Sequence, residues 1–348
     1  MTAALKNWMA LTEGELREYV AELGLPAFRG TQLFEMIHRQ HKRPEEASNL
    51  PGSLWEKLPY EAPLEIEASF DSQKDETKKM LYRLSDGHLV EGVLLSYEHG
   101  YSLCVSTQVG CRMGCKFCYS TVGGLMRSLT PEEMLFQVYE TERSMDITIG
   151  HVILMGSGEP LDNYHNVIQF LKVLHEEKGK FMSYRNMTIS TCGVVPGILA
   201  LSEEEIPVGL AISLHETDQK RREALMPVTK AYPLRELMGA LKTYQERTGQ
   251  RITMEYTLIE GENDRRENME ALAAMAQELF IHVNLIPLNP TEHYGGQRPD
   301  KYSIHKFKDQ LSRRGISCTI RRELGSDIAA SCGQLKAGYE NGIKGVIQ

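Results

Sequence analysis

The sequence predicts an α/β fold in which parallel strands form an open, incomplete barrel, preceded by a small helical region and a short β-rich extension. From residue 101 onward, short apolar runs alternate with amphipathic helical stretches, and strand–helix units in series are typical of a parallel sheet. The chemically distinctive residues directly follow these runs, where the carboxyl ends of parallel strands place functional groups. The predicted strands span 102–106, 150–155, 186–190, 208–213, 251–258 and 282–286.

The first hundred residues have a different pattern. Residues 11–42 show apolar side chains at helical spacing, interrupted at 24–26 by Gly and Pro. Residues 65–98 alternate like strands, and Asp86-Gly87 predicts a hairpin turn. We therefore predict four regions: a helical accessory region (1–62), a β-rich connector (63–100), a partial barrel (101–300) and a C-terminal segment (301–348).

Two helices between the predicted strands have recognisable ends. Thr130 can cap a helix that begins at Pro131 and has Glu133 at its third position, which is a capping-box pattern. An apolar stripe over 234–244 predicts another helix, and Gly249 can end it in a left-handed conformation.

Composition limits the class of protein. Of 348 residues, 41% are hydrophobic and 25% charged, which predicts a soluble globular protein with a substantial core. The formal net charge of −8 argues mildly against a nucleic-acid partner, although phosphate contacts need only a local basic groove. No apolar run is long enough to cross a membrane, and the first twenty residues lack the apolar core of a signal peptide. We expect a cytoplasmic protein.

The seven cysteines do not form the pattern of a secreted disulfide framework. Their number is odd, four lie within fifteen residues, and the other three are widely spaced. In a reducing compartment such a cluster indicates metal binding or catalysis.

A Cys-x3-Cys-x2-Cys triplet is the strongest local signal. Cys111, Cys115 and Cys118 follow the first predicted strand closely enough to hold one metal centre. A structural zinc ion would need a fourth protein ligand, and no Cys or His lies between residues 119 and 150. A 4Fe-4S cluster held by three thiolates keeps one iron open for another ligand, and we favour it over zinc.

Other polar residues follow the later strands. Gly158 and Glu159 belong to a glycine-rich loop after the second strand, which in isolation indicates only a turn. The remaining candidates are Ser190 after the third strand, Ser213, Leu214 and His215 after the fourth, and Asn289 after the sixth. Each could be an ordinary residue at a strand end, but their common position favours a shared ligand.

These motifs together resemble the RlmN/Cfr family of radical-SAM rRNA adenine methyltransferases, and the resemblance covers nearly the whole chain. It rests on residues 104–111 (CVSTQVGC), 155–160 (MGSGEP), 213–215 (SLH), 318–322 (CTIRR) and 332–335 (CGQL), with 28–34 (FRGTQLF) near the start. It implies a radical-SAM partial barrel, a 4Fe-4S cluster on the three cysteines, and S-adenosyl-L-methionine bound by the strand-end residues. Glu159 is expected to take up the ammonium group of that cofactor.

The resemblance also implies roles for three more residues. Cys332 would carry the methyl group, Cys104 would release the product by attack on Cys332, and Glu91 would accept a proton. A carrier thiol is chemically reasonable because an adenine C–H carbon is not nucleophilic, whereas a thiolate can accept a methyl group and later leave by thiol–disulfide exchange. From the residues alone, Cys192 and Cys318 are interpreted as small buried side chains.

The implied partners are ribosomal RNA, tRNA as a further candidate, and an electron donor such as flavodoxin or ferredoxin; we expect a monomer that binds no membrane. Arg112 and Lys116, inside the cysteine loop, are candidate RNA contacts, whereas the other basic runs, including 220–222 and 321–322, are interpreted as solvated surface.

Several alternatives remain open. The sequence differs from the usual family residues at 119–121 (YST), Ser157, 216–217 (ET) and Ala329, so the target could be carbon 8 of adenine rather than carbon 2, which we favour. A radical-SAM enzyme acting on a peptide would not need both Cys104 and Cys332. A non-catalytic RNA-binding or iron–sulfur protein would not need the strand-end polar residues.

Overall fold

The computed structural model describes residues 7–47, 50–289, 291 and 293–335. Its strands are β1 (Leu64–Asp71), β2 (Lys78–Leu84), β3 (Leu89–Tyr97), β4 (Gly100–Cys104), β5 (Gln108–Gly110), β6 (Leu125–Ser128), β7 (Ile149–Leu154), β8 (Met187–Thr191), β9 (Gly209–Ser213), β10 (Ile252–Leu258), β11 (Ile281–Pro287) and β12 (Cys318–Ile320). Its helices are α1 (Glu13–Glu22), α2 (Phe28–His38), α3 (Ser53–Lys57), α4 (Pro131–Met145), α5 (Tyr164–His175), α6 (Val195–Leu201), α7 (Gln219–Leu225), α8 (Leu234–Thr248), α9 (Arg266–Gln277) and α10 (Lys301–Arg313).

Ten strands form one mixed sheet in the order β1-β2-β3-β4-β7-β8-β9-β10-β11-β12. The first four are antiparallel, and β4 and the six strands after it in this order are parallel. Within the described ranges β1 and β12 lie at opposite edges without pairing, so the barrel is open. The predicted α/β fold with an incomplete barrel is confirmed.

The six predicted strands correspond to β4 and β7 to β11, and their bounds differ from the predicted ones by at most two residues. As predicted, α4 begins after a capping box at Thr130, and α8 ends at Gly249 in the left-handed conformation. Three strands were not predicted: β5 and β6, which form a separate two-stranded sheet, and β12. Each has only three or four residues, too few to show a hydrophobic period.

The helical start of the chain packs directly on the barrel. Gly30 allows α2 to approach α1, because a Cβ there would lie 2.6 Å from the Cα of Arg17. Leu16 and Phe34 belong to the same buried core as the barrel strands. The division into four regions stays a prediction, since one core extends from α1 to α10. None of the helices described is both long and apolar enough to cross a membrane.

Residues 324–335 of the C-terminal segment pack on the antiparallel end of the sheet. Ala330 and Leu335 form a small buried cluster with Val93, Leu95 and Cys104, and burial of an aliphatic side chain the size of Leu335 contributes about 2 kcal/mol. Polar contacts between this segment and the β1–β2 hairpin add to the packing: Ser72 donates to Asp327 over 2.7 Å, and the Gly325 N–H donates to Asp75 over 3.0 Å. These contacts place Cys332 beside β4.

Candidate active site

The loop after β5 carries the three clustered cysteines. Gly114 has a φ of +75°, which permits the tight turn between Cys111 and Cys115. The Cys118 N–H donates to the Cys115 carbonyl over 3.1 Å, and the Lys116 N–H donates to Leu225 at the end of α7 over 3.0 Å. The loop is therefore fixed by its own backbone and by the neighbouring helix.

Cys111 and Cys115 are buried and Cys118 is partly exposed, and the three thiols lie close enough to affect one another's charge. Burial raises the pKa of Cys111 to about 12, and it raises the pKa of Cys115 well above its ordinary value. Cys118 and Cys111 add to the shift at Cys115, because a thiolate disfavours a second negative charge nearby. A cationic metal centre would offset both effects and hold all three as thiolates.

The number of these thiols matches the three ligands of an open 4Fe-4S cluster and is one fewer than a structural zinc site needs. A tetrahedral zinc ion holds its sulfur ligands about 3.8 Å apart. Among the residues described, no three His, Cys, Asp or Glu side chains converge closely enough to bind one metal ion. A cubane takes each thiolate on a different iron, so its ligands stand further apart, and three of them leave one iron open.

One cavity joins these thiols to the strand ends. This cluster cavity encloses about 920 Å³, part of it open to solvent, which is the size of a small-molecule site. The predicted residues that line it are Cys111, Cys115, Cys118, Gly158, Glu159, Ser190, Ser213, His215, Asn289 and Cys332. Leu214 is not brought to it, since its side chain lies in the hydrophobic core.

The glycine-rich loop after β7 lies directly against the segment that follows β4. A Cβ on Gly156 would lie 2.6 Å from the Ser106 nitrogen, and one on Gly158 would lie 2.6 Å from the Gln108 Cβ. The Thr107 N–H donates to the Ser157 carbonyl over 2.8 Å. Glycine is thus required at both positions for the backbone to form this wall of the cavity.

Glu159 connects two strand ends through its carboxylate. Its two oxygens accept from the Leu161 N–H over 3.0 Å and from the Cys192 N–H over 2.8 Å. Burial raises the pKa of Glu159, and these hydrogen bonds oppose the rise. The carboxylate lines the cluster cavity, and its predicted contact with the cofactor ammonium stays a prediction.

His215 is held as a neutral ring beside the cysteine loop. Burial, followed by the positive charge of Arg222, lowers its pKa to about 3. Its Nδ1 accepts from the Thr257 N–H over 3.0 Å, and its ring meets the edge of Phe117 with 4.9 Å between centroids. His215 therefore presents a neutral ring to the cavity at physiological pH.

The loop that carries Cys332 is docked on the cysteine loop. The Tyr119 N–H donates to the Gly333 carbonyl over 2.8 Å, and Asn289 Nδ2 donates to the Cys332 carbonyl over 3.0 Å. Gly333 has a φ of +83°, and a Cβ there would lie 3.3 Å from the Phe117 carbonyl. Asn289, predicted as a cofactor contact, thus also positions Cys332.

A second cavity, of about 660 Å³, joins Cys104 to Cys332. This transfer cavity shares five lining residues with the cluster cavity, namely Met155, Ile286, Asn289, Arg321 and Cys332. Burial raises the pKa of Cys104 to about 12, and Cys332 is the next largest cause. All seven cysteines are free thiols in this structure, so no disulfide joins Cys104 to Cys332.

Glu91 lies outside both sets of lining residues. It is buried on β3 and forms an ion pair with Lys79, with 3.2 Å between Nζ and Oε1. It lies on the same face of β3 as Val93 and Leu95, which line the transfer cavity, because side chains alternate along a strand. Its predicted role as a proton acceptor stays a prediction.

Sequence reasoning missed four residues around these cavities. Glu255 and Arg321 line the cluster cavity as an ion pair with 3.6 Å between their charged atoms, and Cys192 lines it beside Glu159. Arg222 is buried behind it. The interpretation of runs 220–222 and 321–322 as solvated surface was therefore wrong for Arg222 and Arg321. An acidic residue inside an apolar strand pattern could have indicated Glu255.

Replacement of Gly158 by alanine is expected to destabilise the protein by about 2 kcal/mol and to weaken binding of S-adenosylmethionine. The added Cβ would overlap Gln108, and the φ of +107° disfavours any residue with a side chain. Denaturant unfolding and a ligand-binding titration measure the two effects.

Gly239→Ala is the matched control for Gly158→Ala. Gly239 lies in α8 with no atom within 4 Å of its added Cβ, so the change should be neutral or slightly stabilising. Equal unfolding midpoints and ligand affinities for the two variants would contradict the role assigned to Gly158.

Comparisons with known proteins extend over nearly the whole chain. Residues 105–273 match the family model described as the radical SAM superfamily. The chain is 42% identical over 339 residues to a probable dual-specificity RNA methyltransferase RlmN of Clostridioides difficile, covering 97% of this chain and 98% of that one. A protein of the same description from Clostridium botulinum is 43% identical, covering 96% and 97%.

A solved structure has the same architecture. The chain superimposes with a TM-score of 0.91 on a radical SAM methyltransferase from Sphaerobacter thermophilus. The two are 40% identical, and the match covers 96% of this chain and all of that one. The accessory helices, the β-rich segment and the C-terminal segment therefore belong to the shared fold together with the barrel.

Proposed function

The chain belongs to the RlmN family of radical-SAM RNA methyltransferases, and from that premise we propose that it methylates carbon 2 of an adenine in 23S rRNA at the peptidyl-transferase centre. An adenine in tRNA is a second substrate. The observation that supports this most directly is the position of Cys332, which lines both the cluster cavity and the transfer cavity. One thiol can thus be reached from the cofactor side and from the side of Cys104.

The residues fit the two cofactors that the family implies. Cys111, Cys115 and Cys118 would hold a 4Fe-4S cluster, and S-adenosylmethionine would lie against Gly158, Glu159, Ser190, Ser213, His215 and Asn289. When bound, the cluster and S-adenosylmethionine supply a methyl group for Cys332 and the one-electron chemistry that removes a hydrogen atom from that methyl group. Leu214 has a structural role instead, since its N–H donates to the Glu255 carbonyl over 3.0 Å and its carbonyl accepts from Arg222.

Two thiols divide the transfer between them. Cys332 accepts the methyl group on sulfur and presents its carbon to the adenine ring. Cys104, as a thiolate, then attacks the Cys332 sulfur and a disulfide forms. The electron pair of the broken carbon–sulfur bond stays on the carbon, which takes up a proton to become the methyl group. Glu91 accepts the proton that leaves the ring, from a buried position on the strand next to Cys104.

The loops around the cluster cavity supply polar contacts for RNA. Lys116 lies in a surface groove with Arg221 and Arg265, which Glu216 and Glu262 also line. Its three cations can contact a phosphate backbone despite the net negative charge of the chain. Arg112 is mostly exposed and ion-paired with Asp162. The protein acts as a monomer in the cytoplasm, with flavodoxin or ferredoxin as electron donor.

Reconstituted activity tests the proposal. Anaerobically purified protein with iron, sulfide, reductant and S-adenosylmethionine should methylate a 23S rRNA fragment, and nucleoside analysis should locate the methyl group at carbon 2 of adenine. Product at carbon 8 would overturn the choice of ring carbon. A modified peptide with unmodified RNA would favour a radical-SAM enzyme of another kind, and RNA binding without consumption of cofactor would favour a non-catalytic protein.

A further inference from the structure

Arg222 is a buried cation that donates four hydrogen bonds to the polypeptide around the cluster cavity. Its side chain lies in α7 and the residue is 1% exposed. Nε donates to the Leu214 carbonyl over 2.9 Å, and Nη1 donates to the Thr229 hydroxyl over 2.8 Å. Nη2 donates to the carbonyls of Cys192 over 2.8 Å and Ser213 over 3.0 Å. The guanidinium thus connects the ends of β8 and β9 by hydrogen bonds.

Within the part of the chain that the structure describes, no carboxylate is paired with this charge. Among the ion pairs of the described residues none includes Arg222, and burial lowers its pKa. The neighbouring groups whose negative charge would favour that of Arg222 are the thiolate forms of Cys192 and Cys115. A buried cation without a counterion is unfavourable, so an anionic group bound by Cys115 would stabilise the charge of Arg222.

We propose that Arg222 is a positioning residue whose buried charge raises the reduction potential of the iron–sulfur cluster bound by Cys111, Cys115 and Cys118. This inference rests on the proposed function, because it requires the cluster. A cluster on three thiolates is negatively charged near Arg222, and reduction adds one more negative charge. A nearby cation in a medium of low dielectric constant stabilises the reduced form more than the oxidised form.

The neighbouring Arg221 provides a matched contrast. It is the preceding residue of the same helix, but its side chain is 42% exposed and pairs with Glu216 and Glu267. Water and these carboxylates screen its charge. Replacement of Arg221 therefore tests for any general effect of removing an arginine from α7.

A redox titration of the reconstituted cluster, followed by electron paramagnetic resonance during stepwise reduction with dithionite, measures the potential without any turnover. Arg222→Gln should lower the equilibrium constant for one-electron reduction at least tenfold, a shift of 59 mV to more negative potential. Arg222→Lys keeps the charge and should stay within threefold of wild type, and Arg221→Gln should not change the potential.

A second pair of variants leaves Arg222 in place. Thr229→Asp puts a carboxylate next to Nη1, whereas Thr229→Asn puts a neutral group of the same shape there. The aspartate should shift the potential in the same negative direction as Arg222→Gln, and the asparagine should not. An unshifted potential in Thr229→Asp would contradict the role of the charge even if Arg222→Gln does not fold.

The outcomes distinguish a failure of the role proposed for Arg222 from a failure of the proposed function. Arg222→Gln or Thr229→Asp with full iron and an unshifted potential would overturn the role of the charge, as would equal shifts for Arg222→Gln and Arg222→Lys. Wild-type protein that binds neither iron nor sulfide would instead overturn the proposed function itself.

Discussion

Replacement of Cys332 by alanine is expected to reduce methyl transfer to RNA below about one thousandth of the wild-type rate, because the variant has no atom to carry the methyl group. Iron content should stay at the wild-type level, since Cys332 is not among the three clustered cysteines. RNA methylation with labelled S-adenosylmethionine measures the loss, and mass spectrometry of the peptide that contains position 332 measures the methyl group on the protein.

Cys318→Ala is the control for this loss. Cys318 is a partly exposed residue at the start of β12 and lies outside the lining of both cavities. Its variant should methylate RNA at the wild-type rate and carry the methyl group on Cys332. Full turnover by Cys332→Ala would contradict the two-thiol mechanism, because methyl transfer would then not require the residue that lines both cavities.

The order of the strands and the position of the cysteine loop could be predicted, because each is indicated by residues that lie close together in the sequence. Each parallel strand of five to seven residues carries its own apolar run, and the three clustered cysteines lie within a span of eight residues. The resemblance to a family then identified Cys104, Cys332 and Glu91, which no local pattern distinguishes from ordinary buried residues.

The missed residues depend on contacts between distant parts of the chain. Glu255 is aligned with Ser213 and Asn284 by the register of three parallel strands, and a sequence pattern does not determine register. Arg222 is buried because carbonyls from two strand ends accept its donors. In sequence it belongs to the basic run 220–222, in which Arg221 is indeed exposed.

Replacement of Cys104 by alanine is expected to trap the protein on its RNA. Cys332 can still receive its methyl group and join the adenine ring, but no thiol remains in the transfer cavity to attack the Cys332 sulfur. A covalent adduct should therefore accumulate toward one RNA per chain, while turnover falls by about 100-fold or more. A denaturing gel with labelled RNA measures the adduct, and nuclease digestion with mass spectrometry locates it.

The double variant Cys104→Ala/Cys332→Ala identifies the atom that forms this bond. It should give no adduct, because the attachment point is absent, although its cluster cysteines are unchanged. Burial keeps the Cys104 thiol protonated at neutral pH, with a pKa raised to about 12, so it must lose its proton before it attacks. Release should therefore be faster at higher pH in the wild type, whereas the adduct of Cys104→Ala should persist at every pH. An adduct that decays equally fast in both proteins would show that Cys104 has no part in release.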